Sequence, residues 1–179
     1  MDMTGTRHIA ASRETVWAAL NDPEILKQCI PGCESLEMET PTDMTARVKL
    51  AVGPVKATFN GKVKLSDLDP PNSYRIAGEG SGGVAGHAKG SATVRLADEA
   101  GGTLMTYDVK ADVGGKLAQL GGRLIDSTAK KLADQFFEKF TAVVGGPAEE
   151  EAESAAAGEK KPGWFSRTIL RRNGGEGGA

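Results

Sequence analysis

The side chains in this sequence with covalent or acid–base chemistry are few and poorly grouped. Cys29 and Cys33 stand in a C-x3-C spacing with no His or third Cys beside them. That is a poor donor set for zinc, and it fits two small buried thiols in a reducing compartment. The two histidines, His8 and His87, are isolated. His8 lies in a first strand beside Arg7, and alternation turns His87 outward. Neither meets a carboxylate or a nucleophile in register, so no triad forms. The run GEGSGGVAG at 78–86 is rich in glycine. It lacks the Gly-Lys-Ser/Thr ending of a phosphate loop and opens no helix. Inward strand positions are nearly free of Asp, Glu and His, which argues against a cyclase or hydrolase working inside the fold.

Binding by shape is the chemistry left. Alternation puts Tyr74, Ile76, Gly78 and Gly80 on one face of a strand. On the next it groups Gly86, Ala88, Gly90, Ala92, Val94 and Leu96. Such a face lets a helix press close, permits strand curvature, or leaves room for a guest. If a guest is held, the remaining walls are Phe59, Val63, Met105, Tyr107, Leu117, Leu120 and Leu124, with Val94 among them. Walls of this kind predict a hydrophobic molecule. Tyr107 is the inward side chain able to hydrogen-bond it, and equally fits a satisfied core tyrosine.

The elements that carry these residues follow from the pattern. Thr6–Ala10 reads as a first strand. Ser12 caps a short helix with Val16, Trp17 and Leu20 on its apolar face. Asp22 caps a second, with Pro23 in its first turn, and Pro31-Gly32 ends it. Strands then run over 33–40, 44–52, 55–68, the two glycine-rich segments and 103–113, joined by hairpin-sized turns such as Gly53-Pro54 and Asp69-Pro70-Pro71-Asn72. This is an antiparallel meander. A long helix over about 116–144 carries Leu117, Leu120, Leu124, Leu132, Phe136, Phe140 and Val143 along one stripe, interrupted by Gly121-Gly122.

Composition sets the outer bounds. The chain has 179 residues, 39% of them hydrophobic, which is one domain with a real core plus an appendage. A formal net charge of −2 gives it no general attraction for nucleic acid. The start MDMTGTRHIAASRE has no basic region followed by an apolar run, and no stretch reaches spanning length. The expectation is a cytoplasmic protein whose membrane contact is peripheral.

Three regions are expected: a domain over 1–146, an acidic flexible linker over 147–159, and a basic amphipathic tail with a disordered end over 160–179. Residues 149–159 hold five Glu and no cation. The tail gathers Lys160, Lys161, Arg167, Arg171 and Arg172 with Trp164, Phe165, Ile169 and Leu170. As a helix it puts Phe165, Ile169 and Leu170 on one side and the arginines on the other, with Trp164 off the apolar arc, an imperfect form of the interfacial membrane-anchor pattern. A basic tail paired with its own acidic linker, or a docking peptide for an enzyme, fits the same residues.

Several local sequences carry a resemblance. They are Thr15-Val16-Trp17, Cys29-Ile30-Pro31-Gly32-Cys33-Glu34, Val113-Gly114-Gly115-Lys116-Leu117, Gly121-Gly122-Arg123-Leu124-Ile125 and Phe136-Phe137. With the element order, they resemble the α+β helix-grip fold of START and Bet v 1-like proteins. Within that superfamily the chain resembles the carbon monoxide dehydrogenase CoxG family from its N-terminus to about Val144. The resemblance implies a non-enzymatic accessory to a molybdenum-containing carbon monoxide dehydrogenase or a related hydroxylase, able to sit at the inner membrane face. It also implies a cavity for an apolar molecule such as a quinone, menaquinone or ubiquinone. A cavity enzyme and a ligand-free assembly factor are the alternatives.

Overall fold

In the computed structural model, residues 1–145 are described. Strand β1 (Asp2–Ile9) is followed by helices α1 (Arg13–Leu20) and α2 (Pro23–Cys29). Then come β2 (Cys33–Met38), β3 (Asp43–Val52), β4 (Val55–Asp69), β5 (Ser73–Ser81), β6 (His87–Glu99) and β7 (Gly102–Gly114). Helix α3 (Lys116–Gln119) and helix α4 (Gly122–Val144) close the described chain. The Ser12 hydroxyl accepts from the Thr15 amide at 3.2 Å and the Asp22 carboxylate from the Glu24 amide at 2.9 Å, so both short helices start at side-chain caps.

The seven strands form one sheet in the order β1-β7-β6-β5-β4-β3-β2, every neighbouring pair antiparallel. The sheet must be strongly curled, because α4 packs against both β1 and β3. Those strands stand five places apart, roughly 24 Å in a flat sheet at about 4.8 Å per strand. A helix about 10 Å across meets both only if the sheet wraps toward it. This is the helix-grip architecture.

Three boundaries differ from expectation. β1 begins at Asp2, not Thr6, because its pairing with β7 runs from Asp2↔Lys110 to Ile9↔Thr103. β2 ends at Met38. The long helix is two helices, broken at Gly121, whose φ of +93° suits glycine. The apolar stripe is also rotated. Phe137 and Phe140 are the buried residues of α4, while Val143 is 47% exposed. Phe137 is drawn in by stacking on Tyr107 of β7, ring centroids 5.5 Å apart, and Phe136 stacks on Phe140 at 5.5 Å.

The core therefore lies at one end, where α1, α2 and the C-terminal half of α4 meet β1, β6 and β7. Ile9, Val16, Cys29 and Phe140 are fully enclosed there. The Thr103 hydroxyl, buried among them, donates to the Ala11 carbonyl at 2.6 Å. The N-terminal half of α4 buries no side chain completely. Urea denaturation should expose this asymmetry. Phe140→Ala is expected to cost about 3–5 kcal/mol, and Leu124→Ala only about 1 kcal/mol. Equal costs would mean that both halves of α4 are packed alike.

Candidate functional site

The strand registers line the small residues up into rows that cross the sheet. One row reads Ala46, Gly61, Gly80, Ala88, Val113 from β3 to β7, and the next reads Met44, Val63, Gly78, Gly90, Ala111. Moving toward the core the rows grow: Leu65, Ile76, Ala92, Val109, then Tyr74, Val94, Tyr107. The inner face thus tapers from glycine and alanine at one end to aromatic and large aliphatic residues at the other. Residues of the glycine rows are half-buried except Met44, and those of the Tyr74 row are buried.

The glycines differ in what surrounds them. A methyl group at Gly61 would meet only the Glu79 and Ala46 carbonyls, the nearer at 3.4 Å. At Gly80 it would meet Asn60 O at 3.7 Å and Gly61 Cα at 3.9 Å, and at Gly78 the Lys62 carbonyl and Val63. All of these are atoms of the sheet; none belongs to α4. These glycines are not there to let the helix close down. α4 instead packs against β1 and β3, rests on α2, and meets β7 through Phe137 on Tyr107 at the core end. Leu124 lies against the β3–β4 turn, so close that a side chain on Gly53 would meet its Cδ2 at 2.8 Å.

Gly86 is a correction. It lies before β6, closing the 3-10 turn Gly83–Ala85 with φ of +119°. A side chain there would collide with the Gly114 carbonyl and sit 3.3 Å from the Lys116 and Leu117 amides. Gly86 serves the close approach of α3, not a wall. Gly90 is tight as well, with Ala111 Cβ 3.0 Å from where its own Cβ would stand. Of the remaining expected wall residues, Val94, Met105, Tyr107 and Leu117 are buried, the first three within the main core cluster. Phe59, Val63, Ala88, Ala92, Leu120 and Leu124 are half-buried. The rows therefore bring together Val63, Gly78, Gly80, Ala88 and Gly90 over a floor of Ala92, Val94 and Tyr107, while Met105 sits deeper in the core. Phe59 turns toward Gly82 at the strand end.

Sequence reasoning missed Arg7. It shares the inner face with Ile9, and its guanidinium lies 4.8 Å from the centre of the Phe137 ring and pairs with Asp134 of α4. Burial disfavours its charge, but Asp134 and Tyr107 more than offset this, so its pKa is raised. The pair ties α4 to β1. Strand alternation from Ile9 could have placed Arg7 inward; nothing local names Asp134 as its partner. Gly61, in register with Gly80, was the other omission.

Other chemistry is sparse. His8 Nε2 lies 3.2 Å from the Ala100 carbonyl and 3.6 Å from Glu99, and His87 is exposed. Cys29 is buried and Cys33 half-buried, both free, and burial raises both thiol pKa values. Among the described residues no three metal-ligating side chains cluster, and no helix is long and apolar enough to cross a membrane. A groove of about 770 Å3 runs across β3 to β7, lined by outward-set residues such as Lys62, Lys89, Glu79 and Asp112 together with Met44, Val63, Gly78 and Gly90. It is an open saddle with charged outward walls. A smaller recess of about 350 Å3 lies between β7 and the α3–α4 elbow, with Ala111, Val113, Ala118 and Ile125 in its walls. The expected linker and the membrane-binding residues Lys160 to Arg172 lie outside the described residues.

Solved structures share this fold. A conserved protein from Geobacillus kaustophilus is 31% identical, with a TM-score of 0.76 over 80% of this chain and 95% of that one. A START superfamily protein from Mycobacterium smegmatis is 15% identical, with a TM-score of 0.62 over 80% and 96%. A protein from Rhizobium leguminosarum is 16% identical, with a TM-score of 0.63 over 80% and 93%. None of the curated proteins matches the chain. The family model of carbon monoxide dehydrogenase CoxG matches residues 5–145. On that match, which spans nearly all of the described residues, the chain belongs to the carbon monoxide dehydrogenase CoxG family.

Proposed function

We propose that this protein is a non-enzymatic carrier that holds a respiratory quinone, menaquinone or ubiquinone, between α4 and the small-residue rows of β4, β5 and β6. The observation that carries this reading is the clearance at Gly61, Gly78 and Gly80, where added side chains would meet sheet atoms alone. On this reading the helix is held off the glycine-lined face, and native packing does not leave such a volume empty by chance. The flanking side chains are apolar, so the occupant is apolar.

The partner is a molybdenum-containing carbon monoxide dehydrogenase or a related hydroxylase, as the family name suggests. Residues 160–172 attach the complex to the cytoplasmic face of the membrane. The five cations of that segment supply at most ~5 kcal/mol at an anionic leaflet, which suits reversible attachment. The enzyme's two electrons, with two protons, convert the carried quinone to quinol, which returns to the bilayer.

Solvent extraction of the purified protein followed by mass spectrometry should recover a quinone, and added menaquinone should bind saturably. Gly80→Leu adds a side chain where a Cβ meets only sheet atoms, and should weaken binding at least about tenfold with a melting temperature within a few degrees of the parent. Unchanged binding in that variant would sink the cavity reading. Replacing Lys160, Lys161, Arg167, Arg171 and Arg172 by Gln should move most of the protein out of the membrane fraction while quinone affinity stays constant. Membrane fractionation that ignores these changes would remove the anchor from the reading.

A further inference from the structure

We propose that the open end of the grip is itself a docking surface for an anionic phospholipid bilayer. This deepens the carrier reading, because it names what the mouth of the cavity faces. Three stretches meet at that end. Leu124 of α4 lies against the β3–β4 turn, Phe59 against Gly82, and Gly86 against the start of α3. At the apex, inside the 3-10 turn, stands Val84. It is 87% exposed, the most exposed large apolar side chain among the described residues. A solvent-facing valine on a turn flanked by Gly82 and Gly83 contributes nothing to the core. It is the kind of side chain that enters the boundary between headgroups and acyl chains.

The three stretches that meet at this end together carry cations. Residues 49–60, 80–88 and 113–125 carry Lys49, Lys56, Lys116 and Arg123 and no carboxylate. None of these four cations forms an ion pair with a described residue. Carboxylates adjoin these stretches, and Asp112 and Asp126 line the recess at the α3–α4 elbow. Glu79 and Asp112 each stand in register with Lys89, and Asp126 follows Arg123 on α4. Helix α4 also starts here, with no side-chain cap and no acidic residue in its first turn. Its free amides and the positive end of its dipole add to the same field. An apolar tip within an unpaired cationic rim matches a bilayer whose surface is negative.

The tail is long enough to reach the same surface. Gly145, where the described chain ends, packs beside Ala10, at the far end of α4. A helix of 23 residues puts that point about 35 Å from the mouth. Residues 147–159 reach on the order of 45 Å when extended, so residues 160–172 can touch the same bilayer that the mouth faces.

The test uses the full chain, with and without Gln at Lys160, Lys161, Arg167, Arg171 and Arg172, and vesicles of phosphatidylcholine with or without phosphatidylglycerol. The tail-neutralised chain should keep a residual affinity for the phosphatidylglycerol vesicles at low salt. Val84→Asp should abolish it. Lys56→Gln and Lys116→Gln should each lower it about fivefold, the equivalent of ~1 kcal/mol. Menaquinone binding measured without vesicles should be unchanged in all three. The proposal is overturned if the tail-neutralised chain has no vesicle affinity, or if Val84→Asp leaves that affinity intact. It is overturned equally if these substitutions weaken binding to the partner hydroxylase and not to vesicles, which would give the end to a protein surface. Absent menaquinone binding in the natural chain would instead count against the carrier reading, and the vesicle series would stand apart from it.

Discussion

One helix has to satisfy both flanks of a seven-stranded sheet, and most of the architecture follows from that constraint. α4 meets β1 through the Arg7–Asp134 pair and meets the β3 side through Leu124 at the β3–β4 turn. The sheet curls to bring those flanks together, and the space inside is set by what lines it. At the core end Tyr107, Phe137, Phe136 and Phe140 fill it with stacked rings. At the other end the rows are glycine and alanine, and the helix is propped at the flanks. The same span is therefore dense at one end and spare at the other.

Much of this was legible in the sequence because strand alternation is a local rule. The meander, its turns, the two capped helices and the inward sets of β4 through β7 all follow from spacing and turn residues. Less legible was whatever depended on register between distant segments. Val94 and Tyr107 read as cavity walls, and they are buried in the core cluster. Cross-strand pairing puts them in the row that the rings of α4 cover. Gly86 read as part of β6 and proved to be a positive-φ residue against α3. Phe137 escaped the helical stripe because its position is set by Tyr107, thirty residues earlier on another element. Arg7 found its partner 127 residues away, a separation no periodicity encodes.

The polar groups of the interior are concentrated where packing is tight. Tyr74 is buried and its phenol is pushed well above its ordinary pKa by desolvation, so it stays neutral at any physiological pH. Thr103 and Arg7 have partners of their own. In the spare half the inner face offers hydrogens on Gly and Ala carbons, while the amides and carbonyls of those strands are spent on the ladder between them. Such a surface has little with which to orient a polar molecule. What it gains from an occupant is removal of apolar area from water, about 25 cal/mol for each Å2.

This division separates the tightly packed core from the small-residue face in a way that a uniformly packed domain does not allow. The interactions that decide whether the chain folds lie around Ile9, Val16, Cys29 and Phe140. The small residues of the inner face lie four and five rows from Ile9, where an added Cβ meets ordinary van der Waals distances at Gly78 and Gly80. Small residues on that face can therefore change one at a time without disturbing the packing on which the grip of α4 depends. The limit is the close approach of strands at Gly90 and of α3 at Gly86, where any side chain strikes backbone. Those two glycines fix the shape of the sheet around the space, and the others set how much of it is left open.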